Sequence, residues 1–330
     1  MKHNFKVTLS LIVLFLLAQL VGILIISQYV NIQESSTSGE TVIDEDLYFV
    51  QPPEVENESW SWVYLMFPIL LGTAIVLLLI KFKLKKIWKF WFGLSIVLSL
   101  TIAFFPFIKK GFEFLFSTSY GALLITVIFA SILTFMKVKY HNNIIHNFTE
   151  MFIYGGLSAL FVPILNITSG IILLVLIAIY DAYAVWKSKH MVSMAKFQTD
   201  VGLFAGLSIN YSKTGPKSSS KVNVDSGKTI SGKSDVGLIN SNNSKVKNSM
   251  SNASNKSAIL GGGDITFPLL FAGSVLKVTG SYFLSLWIIL FATISLALLL
   301  FLSKPGKFYP AMPFISSGCL IGFFSLYFFI

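Results

Sequence analysis

Arginine is absent from this chain, cysteine occurs once, and charged residues make up only 12% of its 330 positions. Each scarcity excludes a class of protein. The lone Cys319 can form no internal disulfide and belongs to no metal-binding cysteine pair. The net charge of +10 rests on 25 lysines, which flank apolar segments or sit in one polar loop, a topology pattern and not a nucleic-acid groove. With so little charge and 54% hydrophobic residues, the chain lacks the polar surface of a soluble domain of this length. The sequence therefore predicts an all-α membrane protein, a helix bundle in lipid.

Nine apolar segments are each near the ~20 residues that a spanning helix needs. They cover 7–30, 61–80, 87–108, 114–136, 147–165, 167–187, 259–277, 282–303 and 309–329. The fifth is the least regular, since it carries Glu150 and Pro163. The first is too long, and too poor in a small-residue cleavage site, to read as a removed signal peptide. Lysine placement orients the bundle. With a cytoplasmic N-terminus, 22 lysines fall inside and only Lys109, Lys110 and Lys277 outside. Long loops count weakly, and without the eleven lysines from Lys187 through the long loop the ratio is still 11 to 3. The expectation is a nine-transmembrane bundle, N-terminus cytoplasmic and C-terminus outside, with the acidic stretch from Glu34 to Glu58 outside. Trp60, Trp62 and Trp88 read as interface belts.

This divides the chain into a six-span part (1–187), a cytoplasmic loop (188–258) and a three-span part (259–330). Within the loop, 212–257 hold 32 Ser, Lys, Asn or Gly among 46 residues, the composition of a flexible linker. The preceding stretch, Val201–Tyr211, alternates with the period of a strand, Val201, Leu203, Leu207 and Ile209 standing on one side. It reads either as a loop that happens to alternate or as an edge strand without its partner.

Two aspartates sit inside apolar segments more clearly than any other acid: Asp181 in IAIYDAYAVW and Asp264 in AILGGGDITFPLLF. A charge at that depth costs several kcal/mol, so an acid placed there is a functional candidate. The sixth and seventh segments run antiparallel, being joined by the inner loop. Asp181 lies six residues before Lys187 and Asp264 five after Ile259. At ~1.5 Å per residue both lie roughly 8–9 Å below the inner surface. Carboxyls at one depth on neighbouring helices can share a proton. The ionised one then takes a proton from water while the protonated one polarises a carbonyl. The rival reading is a transporter or cation-leak channel that uses the same acids as a relay. The four histidines, His3, His141, His146 and His190, lie outside the apolar cores, so a serine–histidine intramembrane protease lacks its base. No His-Glu-x-x-His motif supports a zinc protease.

Tyr180-Asp181, Gly261-Gly262-Gly263-Asp264 and Pro310-Ala311-Met312-Pro313 fall in the sixth, seventh and ninth segments. In order and placement they resemble the presenilin and signal peptide peptidase family, whose members carry Tyr-Asp, Gly-x-Gly-Asp and Pro-Ala-Leu motifs there. Met312 stands where leucine is usual, a swap close in volume and polarity. The resemblance implies a presenilin-type bundle and an intramembrane aspartic endopeptidase, with Asp181 and Asp264 catalytic and no cofactor or metal. Its substrates would be transmembrane helices of single-span proteins or signal-peptide remnants. The orientation matches the presenilin arrangement, which favours substrates with the N-terminus outside. Lysine-only usage and short polar loops resemble an archaeal-type homologue. That implies a multi-pass protein of a prokaryotic, archaeal cell membrane, acting without accessory subunits and with homo-oligomerisation left open. Presenilins are also cut in the loop after the sixth span, although nothing in 212–257 specifies a cut. Glycines before Asp264 let substrate backbone approach. Pro310 and Pro313 disturb the helix start, keeping irregular backbone beside a cavity. An unwound substrate needs backbone partners, and Val201, Leu203, Leu207 and Ile209 mark the candidate edge.

Overall fold

The computed structural model describes residues 5–38, 41–43, 47, 60–116, 121–140, 142–188, 194, 197–198, 201–212, 255–303 and 309–326. The chain forms two compact units, residues 1–209 with 258–330, and residues 210–257. Of the second, only the strand ends 210–212 and 255–257 are described. The rest of the expected linker lies outside the described residues.

The helices in chain order are α1 (Phe5–Tyr29), α2 (Ile32–Ser38), α3 (Ser61–Lys81), α4 (Lys85–Phe116), α5 (Ala122–Lys139), α6 (Asn143–Phe161) and α7 (Ile167–Tyr183). A 3-10 turn, Val162–Ile164, follows α6, and a π turn, Ala184–Ser188, extends α7. Two strands come next, β1 (Gly206–Ser212) and β2 (Asn255–Gly261), paired in one small sheet. The chain then continues as α8 (Gly262–Thr279), α9 (Tyr282–Leu302) and α10 (Met312–Ser325). In lipid a backbone must satisfy its own polar groups, so apolar runs become helices. By length and composition six of the described helices can cross a membrane: α1, α3, α4, α5, α7 with its π turn, and α9. Apolar α10 is shorter. Local chemistry marks the ends. Asn142 accepts the Ile144 amide at 3.0 Å to cap α6, and Asn166 accepts the Ser169 amide at 2.7 Å to cap α7.

Apolar side chains cover α1 all round, and packing decides which face goes inward. Leu11, Phe15, Ala18, Gly22 and Ile26 are buried at helical spacing, whereas Leu9, Val13, Leu17, Leu20 and Leu24 are exposed on the other side. Exposed leucine is unremarkable against lipid tails, so helix contacts depend on close fit and small residues. A Cβ on Gly156 of α6 would lie 2.1 Å from the Ser99 carbonyl oxygen of α4, and one on Gly155 would lie 2.5 Å from Ile25 of α1. Alanine at Gly156 would push the helices apart, whereas at Gly155 the end of the Ile25 side chain would have to turn aside. α8 occupies the middle, packed against α1, α6, α7, α9 and α10, with every residue from Pro268 to Lys277 buried. By contrast, only Ser61 and Leu65 of α3 are buried.

Three boundaries differ from expectation. α4 continues through the 109–113 stretch expected as a loop, and α5 begins only after Gly121, whose φ of 95° makes the turn. The Lys109 region is helix-compatible, and Pro106 does not stop the helix. β1 begins at Gly206 and not at Val201, with φ 149° there. A Cβ at Gly206 would lie 2.2 Å from the Leu260 carbonyl oxygen, so the close approach of the strands requires glycine. Finally, β2 takes residues assigned to the linker and to the start of the seventh segment, so α8 starts at Gly262. Trp88 is not an interface residue. It is buried against Phe197, Val201 and Leu203, with the Trp88 and Phe197 rings 6.0 Å apart.

Candidate active site

Asp181 sits in the last turn of α7 and is buried, with 5% of its surface exposed. The start of α10 meets it: the Met312 amide donates to Asp181 Oδ2 at 3.1 Å. The first amides of a helix have no partner within it. Pro310 and Ala311 bring the chain to that start, and Pro313 in the first turn has no N–H to satisfy. Asp181 thus lies against the partial positive end of α10. Met312 is buried, as its leucine counterpart would be.

Asp264 is the third residue of α8, half-buried, and itself lies in an N-terminal turn. β2 leads straight into this turn, so strand pairing fixes where the acid points. The three glycines before it differ. A Cβ on Gly262 would lie 2.7 Å from the Tyr154 hydroxyl of α6, so α8 can seat there only on glycine. A Cβ on Gly261 would come within 3.2 Å of Asp264 Oδ2, and one on Gly263 within 3.3 Å of Phe267.

Asp181 and Asp264 line the same two cavities, and among the described residues they alone belong to both. The smaller cavity, about 160 Å³, also touches Leu11, Leu296 and Tyr309. The larger, about 430 Å³, is walled by Tyr154, Tyr180, Phe204, Phe267 and the glycine run. Tyr180 is half-buried, with its hydroxyl 3.3 Å from Thr73 Oγ1 of α3. Among the described residues no three His, Cys, Asp or Glu side chains gather as a metal site.

The proposed substrate edge needs correction. Val201 and Leu203 precede the strand and pack against Trp88 and Phe197, because large apolar side chains there find a core to enter. Leu207 is fully buried and Ile209 half-buried within β1. One edge of β1 pairs with β2. The other is occupied at Gly206 and Ser208 by side chains of α6. Asn147 Nδ2 donates to the Ser208 carbonyl at 2.8 Å, and the Ser208 amide donates back to Asn147 Oδ1 at 2.9 Å. His146 Nε2 lies 2.8 Å from the Gly206 carbonyl, and the Gly206 amide donates to Glu150 Oε2 at 3.2 Å.

The same carboxylate of Glu150 pairs with Lys137 of α5 and accepts the Tyr154 hydroxyl. Lys137 and Glu150 are both buried, so Lys137 is not the surface anchor that its place beside a span suggests. Glu150, an acid within an apolar segment, carried a signal in the sequence, but its partners lie 4, 13 and 56 positions away and no motif joins them.

A bundle of apolar helices in which two carboxylates line the same cavities is the arrangement expected of a membrane-embedded aspartic hydrolase. A family profile described as "Signal-peptide peptidase, presenilin aspartyl protease" matches residues 12–209, and the chain belongs to that family of intramembrane aspartic endopeptidases. The matched region contains Asp181 and ends before Asp264. Two solved structures, described as a presenilin family intramembrane aspartate protease in the C222 and P2 space groups, are similar over 98% of this chain. The coverage is 99% and 98% of their own lengths, with 16% identity and a TM-score of 0.59 in each case. At that identity the likeness shows the fold. No curated protein sequence matches the chain. The transporter or channel reading gains no support from any of these.

Proposed function

We propose that Asp181 and Asp264 are the catalytic pair, and that the protein hydrolyses peptide bonds of transmembrane helices by activating water between them. The observation that carries this reading is that these two acids alone bound both cavities among the described residues. One carboxylate, ionised, takes a proton from water. The other, protonated, gives its proton to the scissile carbonyl oxygen as the water oxygen bonds to carbon. Collapse of the tetrahedral intermediate breaks the C–N bond and delivers a proton to the leaving nitrogen. Two carboxyls lining one cavity resist double ionisation, and the mechanism has the pair share one proton.

The substrate must reach this wall as an opened helix. Tyr154, Tyr180, Phe204 and Phe267 give the larger cavity an apolar, aromatic lining suited to side chains from a membrane helix. Single-span membrane proteins and signal-peptide remnants fit that chemistry. We place the N-terminus in the cytoplasm and expect activity without accessory subunits. The test is incubation of the purified protein with a single-span substrate, followed by mass spectrometry of the products. Asp181→Ala and Asp264→Ala should each lower kcat/KM by at least about a thousandfold while the protein stays folded. Cleavage by either variant at the wild-type rate rules out the pair.

A further inference from the structure

The buried Glu150 has no part in the chemistry just described, yet three elements meet on its carboxylate. Lys137 approaches from α5, the Tyr154 hydroxyl from one turn further along α6, and the Gly206 amide from β1. Only 1% of its side chain is exposed. Both of the last two contacts lead to the same short stretch of chain. Tyr154 is the residue on which Gly262 seats, its hydroxyl filling the space that a Gly262 Cβ would need. Gly206 lies directly against the Leu260 carbonyl oxygen. Leu260 and Gly262 lie four and two residues before Asp264, so a single carboxylate anchors both surfaces that locate this acid.

We propose that Glu150 is a positioning residue: it holds Tyr154 and the start of β1 together and so fixes the β2–α8 junction that carries Asp264. Its working property is the acceptor oxygen offered to Tyr154 and Gly206. Lys137 serves to neutralise the buried charge, since an unpaired carboxylate in this setting is costly. His146 and Asn147 extend the same hold along β1, one on the Gly206 carbonyl and the other on both backbone groups of Ser208. The α6 side chains thereby act as a substitute strand along this part of β1. The inference rests on the protease reading for its kinetic consequence but not for its structural one.

The test compares two full-length variants in which the charge pair is removed. Lys137→Met with Glu150→Gln keeps an acceptor oxygen, while Lys137→Met with Glu150→Leu does not. Tyr154→Phe removes one hydroxyl only. Single-span substrate cleavage should be at least about tenfold faster for the glutamine pair than for the leucine pair, the scale of one buried polar contact. The loss should fall on kcat, with KM within about twofold, and Tyr154→Phe should shift the same way. Product termini read by mass spectrometry should spread to neighbouring bonds when the acceptor is gone. Hydrogen exchange at residues 206–209 and 258–263 should quicken in the leucine pair and not in the glutamine pair, at similar melting temperature. Equal rates, equal product termini and equal exchange in the two pairs overturn the proposal. If the wild type cleaves nothing, the protease reading fails, and the exchange comparison still decides the role of Glu150.

Discussion

At the residue scale, the glycine run shows how one side chain's absence can be dictated by a distant helix. Gly262 has no freedom to gain a methyl group, because the Tyr154 hydroxyl stands 2.7 Å from where it would lie. Gly263 is exposed and meets only the ring of Phe267 at 3.3 Å. Gly262→Ala should therefore cost about 1–3 kcal/mol of overpacking at this contact and reduce cleavage more than Gly263→Ala does. Thermal unfolding and initial rates for the two variants would check the ranking. The acids themselves were legible in the sequence because a carboxylate in an apolar run stands out. Tyr154 was not, since a tyrosine in an apolar helix is unremarkable until its partner is known. Lys137 misled for a related reason: a lysine beside a span looks the same whether it faces water or a buried Glu150.

At the scale of elements, hydropathy located the helices but misjudged the connections. A helix falls on each of the apolar segments, while the end of α4 and the start of α8 moved. β2 was hidden because Asn255, Lys256 and Ser257 resemble the linker and Ala258, Ile259 and Leu260 resemble a membrane helix. A strand this short is defined by its partner and not by its own composition. The same pairing sets where a deletion is tolerated. Removing residues 216–251 spares both strands, and the closure cost of a flexible loop changes only with the logarithm of its length. Such a variant should keep most of its activity on a single-span substrate. A deletion that continues into 255–261 should abolish it, since β2 is what aims α8. Equal activity for both deletions would show that the strand pair is dispensable.

For the whole molecule, the lysine asymmetry of 11 to 3 supports a cytoplasmic 188–258 loop and an outer 31–59 loop. Cysteines introduced one at a time into these loops, on a Cys319→Ala background, should label from outside intact cells only in the second loop. Cys319 is fully buried in α10, so its replacement matters as a precaution against labelling after solubilisation. Labelling of the 188–258 loop from outside would reverse the orientation and with it the class of substrate. The fold class and the pair of acids could be read from the sequence because each depends on composition and spacing. The hold of α6 on β1 could not, because it joins Asn147 and Glu150 to residues about sixty positions away through contacts that leave no periodic trace.

One larger unit is built from both sides of the 210–257 stretch, with α8 enclosed by helices that precede that stretch and by helices that follow it. The peptide bonds between the strands are thus not what keeps the two acids together. Asp181 and Asp264 could be supplied on separate polypeptides, 1–212 and 255–330, synthesised in the same cell and joined by the burial of α8, the pairing of β1 with β2 and the packing of α9 and α10 on the earlier helices. The pair should co-purify through a tag on either fragment and regain proteolysis that neither fragment has alone. A covalently continuous chain is then a convenience of synthesis, and a nick between the strands would be a silent event for the enzyme.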